Sequence, residues 1–164
     1  MVAAVAGFAG YHFSRARSSP PQIEVAAQKL MRASYADLNG RYRNLSPSPG
    51  KVLVVNFWAT WCTPCREEIP ELSKIHKRYA SKGVEVTGIA FDNTSKVLDY
   101  AAKMNMDYSL LIGTVETLAI SKDLGNPAGV LPFTVVLDRT GTVTYTHVGA
   151  LTAAILEAVL LPIL

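Results

Sequence analysis

Apolar residues along this chain keep two alternating rhythms. Val52 to Trp58 (VLVVNFW) is a near-continuous apolar run, the pattern of a strand covered on both faces. Beyond it the period lengthens, and Ile69, Leu72, Ile75, His76 and Tyr79 recur at helical spacing within residues 64–81. Val84 to Phe91 returns to a strand, residues 94–104 to a helix, Leu110 to Ile112 to a short strand, and residues 114–124 to another helix. Phe133 to Asp138 and Thr142 to His147 read as strands joined at Arg139-Thr140-Gly141, an antiparallel hairpin. Leu151 to Leu161 ends the chain as an apolar helix too short to span a bilayer. Upstream, residues 22–33 place Ile23, Ala26, Ala27 and Leu30 near one helical face. Asn39-Gly40 then signals a hairpin turn, and Ser46-Pro47-Ser48-Pro49-Gly50 a loop. This alternation predicts an α/β architecture, a central mixed β-sheet flanked by helices, with the N-terminal hairpin as an extension.

The first residues break the pattern. Met1 to Phe13 is apolar and rich in small residues, and Arg15, Arg17 and the breaker cluster Ser18-Ser19-Pro20-Pro21 follow. A spanning helix needs ~20 apolar residues, so this stretch is too short to span unaided. It lacks the positive leading region and cleavage site of a signal peptide, and its basic flank lies on the wrong side for an outward-delivering anchor. The reading is a truncated signal-anchor and linker over residues 1–21, then one domain over residues 22–164; a frayed or amphipathic helix is the plainer alternative. A length of 164 residues suits one domain plus an extension, and 49% hydrophobic residues suffice for a core. The formal charge of +3 comes from scattered basic residues such as Arg41 and Arg43, not from the concentrated face that nucleic-acid binding requires.

Cysteine use turns the reading toward chemistry. The chain has 2 cysteines, both in Trp61-Cys62-Thr63-Pro64-Cys65. A loop closed across two intervening residues constrains the unfolded chain very little, so a structural staple is a poor purpose for the pair. The motif directly follows a buried strand and opens a helix. A cysteine there meets the positive end of the helix dipole and unpaired backbone N–H groups, which favour the nucleophilic thiolate. Cys62, the more exposed, is expected to attack a partner disulfide, and Cys65, one turn in, to resolve the mixed disulfide. Pro64 suits the first turn, where its missing N–H is no loss. Haem attachment would need His where Arg66 stands, and a structural zinc site would need about four ligands, which two cysteines and scattered histidines supply poorly. Thiolate binding of Cu(I) stays open on ligand softness, as does an inert pair. His76 and His147 read as structural, His12 carries no assigned role, and Lys122-Asp123 reads as a solvated face.

The segment Val55 to Pro70 (VNFWATWCTPCREEIP) resembles the active-site segment of thioredoxin-like proteins of the TlpA/ResA/CcmG type, membrane-tethered bacterial reductases that face the periplasm or the outer side of the cell membrane. Gly88-Ile89-Ala90-Phe91-Asp92 and Gly129-Val130-Leu131-Pro132-Phe133-Thr134 extend the resemblance over roughly residues 35–160. It implies a thioredoxin-like fold with Cys62, Cys65 and Glu68 as catalytic residues. It also implies substrate contacts from Trp61, Thr63, Pro64, Leu131 and Pro132, with Pro132 in the cis form and the Leu131 backbone left to pair with an extended partner segment. Glu68 matches the family's acid near the dithiol, which raises thiol pKa values and moves protons; Glu67 reads as its solvated neighbour. Pro70 matches a helix kink, Trp58 the core and Trp61 the active-site rim. Asn56 departs from cytosolic thioredoxins, where a buried Asp takes the resolving thiol's proton; an amide cannot, which shifts that role to Glu68.

By this resemblance the chain is expected to be a disulfide reductase with no cofactor beyond the Cys62–Cys65 disulfide. It is expected to act as a monomer on protein disulfides at the periplasmic side of the inner membrane, or in the soluble periplasm, and to be recharged by a membrane electron donor. Apocytochrome c thiols or copper-site assembly proteins are the implied substrates. The alternatives are a disulfide oxidase or isomerase using the same residues, and a copper metallochaperone using the two thiols.

Overall fold

The computed structural model describes residues 20–45 and 49–164. Residues 1–19 of the expected signal-anchor and linker lie outside that range, as do residues 46–48 of the Ser46 to Gly50 loop. The strands are β1 (Ser34–Asp37), β2 (Tyr42–Asn44), β3 (Val52–Trp58), β4 (Val84–Ala90), β5 (Ser109–Ile112), β6 (Phe133–Leu137) and β7 (Val143–Val148). The helices are α1 (Pro21–Arg32), α2 (Thr63–Tyr79), α3 (Thr94–Met104), α4 (Val115–Asp123) and α5 (Ala153–Leu160). Among the described residues no helix is long and apolar enough to cross a membrane.

These strands form one sheet in the order β2-β1-β5-β4-β3-β6-β7. β3, β4 and β5 run parallel, joined by helical crossovers, while β6 and β7 return antiparallel beside β3. The N-terminal hairpin is more than an extension. β1 pairs antiparallel with β5 through Ala36↔Ile112 and Asp37↔Leu111, covering an edge that would otherwise expose a row of backbone donors and acceptors. Its turn is held by the Asp37 carboxylate, which accepts from the backbone N–H groups of Asn39 and Arg41, while Gly40 takes the left-handed conformation at φ 76°.

Side-chain alternation along β3 divides the core into two layers. Val52, Val54 and Trp58 pack against α2, α3 and α5, together with Ile69, Leu72, Ile75, Val97 and Leu156. Leu53, Val55 and Phe57 face the other way, toward Ala26, Ala27 and Leu30 of α1 and Leu124 at the end of α4. Because successive strand residues point to opposite faces, Asn56 must lie on the α2 side. In β6, Phe133, Val135 and Leu137 belong to the far layer and Val136 to the near one, so Thr134 also faces α2. Register then sets Leu110, Gly88, Asn56 and Thr134 in one row across the sheet, beneath the active-site helix.

Candidate active site

β3 delivers the chain to Ala59-Thr60-Trp61, and Cys62 caps α2. Its Sγ accepts from the Cys65 backbone N–H at 3.3 Å, which satisfies one of the donors left open at a helix start. Cys62 and Cys65 form a disulfide with a Cα–Cα distance of 5.3 Å. Cys62 is 6% exposed and Cys65 only 1%, so the two sulfurs are inequivalent in the sense the sequence predicts. The rim is open: Trp61 is 67% exposed, and Thr63 and Pro64 are exposed beside it. The loop below is tied to the end of β4, where the Asp92 carboxylate accepts from the Thr60 hydroxyl and from the Asn93 backbone. Asp92 is held below the usual carboxylate range, its hydrogen bonds and Lys96 outweighing the opposing effect of burial.

Pro132 opens β6 antiparallel to β3, which brings it to the same end of the sheet as the disulfide; the Leu131–Pro132 bond is cis. Pro132 is buried and Leu131 half-buried. The approach to this corner is fastened by Asn126, whose buried amide donates to the Val130 carbonyl at 2.9 Å and accepts from the Val130 N–H at 3.0 Å. The carbonyl of Pro132 accepts from the Gly149 N–H at 2.8 Å, tying the corner to the end of β7.

Glu68 lies one helical turn past Cys65 and points inward, only 1% exposed. Its Oε2 accepts from the Asn56 side-chain amide at 3.0 Å; its Oε1 accepts from the Leu151 backbone N–H at 3.1 Å and, more weakly, from the Thr134 hydroxyl at 3.5 Å. Asn56 also donates to Thr134 Oγ1 at 3.0 Å. Burial dominates these bonds and pushes the carboxyl up to about 7 from an ordinary 4.5. Glu67 is exposed. Pro70 lies inside α2, which continues through it to Tyr79.

Thr134 and the Leu151 N–H complete the carboxyl's surroundings and were not singled out by sequence. A signal existed for Thr134, a polar residue of the same strand parity as Asn56 in an otherwise apolar β6. Trp58 is fully buried, and His76 packs its ring against Tyr108 with centroids 6.2 Å apart. Among the described residues no group of three or more His, Cys, Asp and Glu side chains is placed to hold a metal ion.

A family model described as Redoxin matches residues 25–160. A thioredoxin-like protein of Bacillus subtilis, YneN, is 31% identical over 158 residues, covering 92% of this chain and 88% of the relative. The thiol-disulfide oxidoreductase ResA of Bacillus cereus is 31% identical over 128 residues, covering 76% of this chain and 70% of ResA. Among solved structures, a thiol:disulfide interchange protein of Chlorobium tepidum superposes with a TM-score of 0.71 at 28% identity, covering 80% of this chain and 92% of its own. A secreted thiol-disulfide isomerase of Corynebacterium glutamicum gives a TM-score of 0.71 at 28% identity, covering 80% and 82%. The chain belongs to the Redoxin family, as a thioredoxin-fold thiol–disulfide oxidoreductase of the TlpA/ResA type.

Proposed function

We propose that the chain runs as a reductase of protein disulfides in an extracytoplasmic, oxidising compartment. The observation that carries the direction is the buried Glu68 carboxyl one turn past Cys65. A carboxylate beside a dithiol destabilises the thiolate, and so makes the reduced pair a better electron donor. In the reduced protein the Cys62 thiolate attacks one sulfur of a partner disulfide; that S–S bond breaks and the first partner sulfur leaves as a thiolate. Glu68 takes the proton of Cys65. The Cys65 thiolate then attacks Cys62 Sγ, forming the Cys62–Cys65 disulfide and releasing the second partner sulfur. Two electrons pass to the partner, whose two thiolates take up one proton from Glu68 and one from solvent, the latter equal to the proton Cys62 gave up on forming its thiolate, and a membrane reductase returns the pair to its dithiol form.

Trp61, Thr63 and Pro64 frame the approach to Cys62, and the Leu131–Pro132 corner offers backbone for an extended partner segment. The solved relative from Corynebacterium is described as secreted, which supports a site outside the cytosol. The N-terminal segment, residues 1–21, ties the domain to the inner membrane, and apocytochrome c or copper-site assembly proteins supply the disulfides. A single copy suffices for this scheme.

The test is a trap. Cys65→Ser should accumulate a mixed disulfide through Cys62 with a protein disulfide substrate, and Cys62→Ser should not. Failure of Cys65→Ser to capture any partner under mild oxidation would count against the scheme. Stoichiometric Cu(I), retained after anaerobic purification and lost with either cysteine, would replace it with a metal-carrying role.

A further inference from the structure

On the side of β3 away from Pro132 lies a cleft of about 360 Å³, lined by Thr60, Arg66, Lys96, Asp99, Tyr100 and Lys103. Sheet order explains its position. β6, with Pro132 at its start, flanks β3 on one side, and β4 with the helix it feeds, α3, flanks it on the other. Lys96, Asp99, Tyr100 and Lys103 recur at helical spacing and form one wall from a single face of α3. Thr60 and Arg66, just before and just after the two cysteines, form the facing wall. Tyr100 packs its ring on the buried Trp58 with centroids 5.8 Å apart, which fixes this wall against the end of β3.

The charges in this cleft are unbalanced. Three cations share it with one carboxylate, Asp99. Lys96 lies 3.7 Å from Asp92, but that carboxylate is nearly covered and already hydrogen-bonded to Thr60 and Asn93. Arg66 and Lys103 have no carboxylate within ion-pair distance among the described residues. Thr60 and Arg66 flank the two cysteines in the chain and also line this cleft, so a segment lying across Cys62 from the Pro132 side can extend into its surplus of positive charge.

We propose that the cleft receives acidic side chains from the segment flanking the reactive cysteine of a disulfide partner, and so selects partners with Asp or Glu beside that cysteine. The proposal rests on the disulfide-reductase reading above. Complementary charge of this kind acts mainly on the rate of encounter and on the choice of partner.

The experiment measures the rate at which the reduced protein reacts with three disulfide-containing peptides, identical except for a run of Asp, Ser or Lys next to the cysteine. The Asp peptide should react about tenfold faster than the Lys peptide at low ionic strength, the low end of electrostatic steering, and the advantage should shrink at high salt. Lys103→Glu should lower the ratio of Asp-peptide to Lys-peptide rates and Asp99→Lys should raise it. Lys29→Glu, the same change of net charge as Lys103→Glu but placed on α1 in the opposite layer, should leave the ratio near its starting value. Equal rates for the three peptides, or a ratio that follows net charge wherever the substitution is placed, would overturn the proposal while leaving the reductase reading intact. Reaction with none of the peptides would overturn both.

Discussion

Glu68 is the acid that the proposed chemistry uses, and its burial sets a sign that can be measured. Its carboxyl holds a proton up to about 7 in the folded chain but only to its ordinary 4.5 when unfolded. Between those values the native state binds a proton that the unfolded state lacks. The contribution of Glu68 to stability is therefore fully present below the lower value and is lost as pH rises through the upper one. The loss is on the order of 3 kcal/mol, since each tenfold change in proton affinity is worth ~1.4 kcal/mol. For the oxidised protein, the urea midpoint should fall between pH 5 and pH 8, and Glu68→Gln should flatten that fall. Identical slopes for both proteins would place the titration elsewhere. Sequence alone reached Glu68 through its motif, and Asn56 through its departure from cytosolic thioredoxins. The other two partners of the carboxyl, Thr134 and the Leu151 N–H, lie 66 and 83 residues away in the chain. Contacts of that range follow from strand register and helix docking, which local pattern does not encode.

At the scale of elements, each helix and strand near the site is placed by a local rule and held by a distant one. α2 starts at a cysteine cap and carries two acids one turn apart on the side toward α5: Glu68 holds the Leu151 N–H, and Glu71 holds the Ala153 N–H at 2.9 Å. α3 is capped by Asn93, and α4 by a reciprocal Thr114–Thr117 pair. The row beneath α2 gives the sharpest test. A Cβ on Gly88 would lie 2.9 Å from both Trp58 Nε1 and Leu110 Cδ2, and 3.3 Å from a Tyr108 ring carbon. Gly88→Ala should then cost about 1–3 kcal/mol of unfolding free energy through overpacking. A variant as stable as the parent would mean that these rings shift freely and do not form a tight floor to the site. Sequence showed this glycine as part of a matching motif. The need for it came only from two aromatic rings meeting over β4.

At the scale of the molecule, strand–helix alternation was enough to predict the layered α/β architecture, because each element's apolar rhythm names the faces it must bury. The hairpin was different. Asn39-Gly40 marks its turn, but nothing in residues 34–44 says which sheet edge they will cover; that follows from β5 having an outer edge to pair. The cleft beside α3 was likewise hidden, since its cations are scattered in sequence and converge only when α3 docks beside the start of α2. Net charge alone understates it: the whole chain carries +3, yet an uneven share gathers within reach of the disulfide.

The direction of electron flow is read from the reduction potential of the Cys62–Cys65 pair, measured by equilibration against defined thiol buffers. A donor of electrons to protein disulfides, its thiolate disfavoured by the neighbouring Glu68, is predicted to have a midpoint near thioredoxin's, about −270 mV, or modestly above it. A midpoint of about −120 mV, a difference of roughly 7 kcal/mol in favour of the dithiol, would instead make the protein a giver of disulfides.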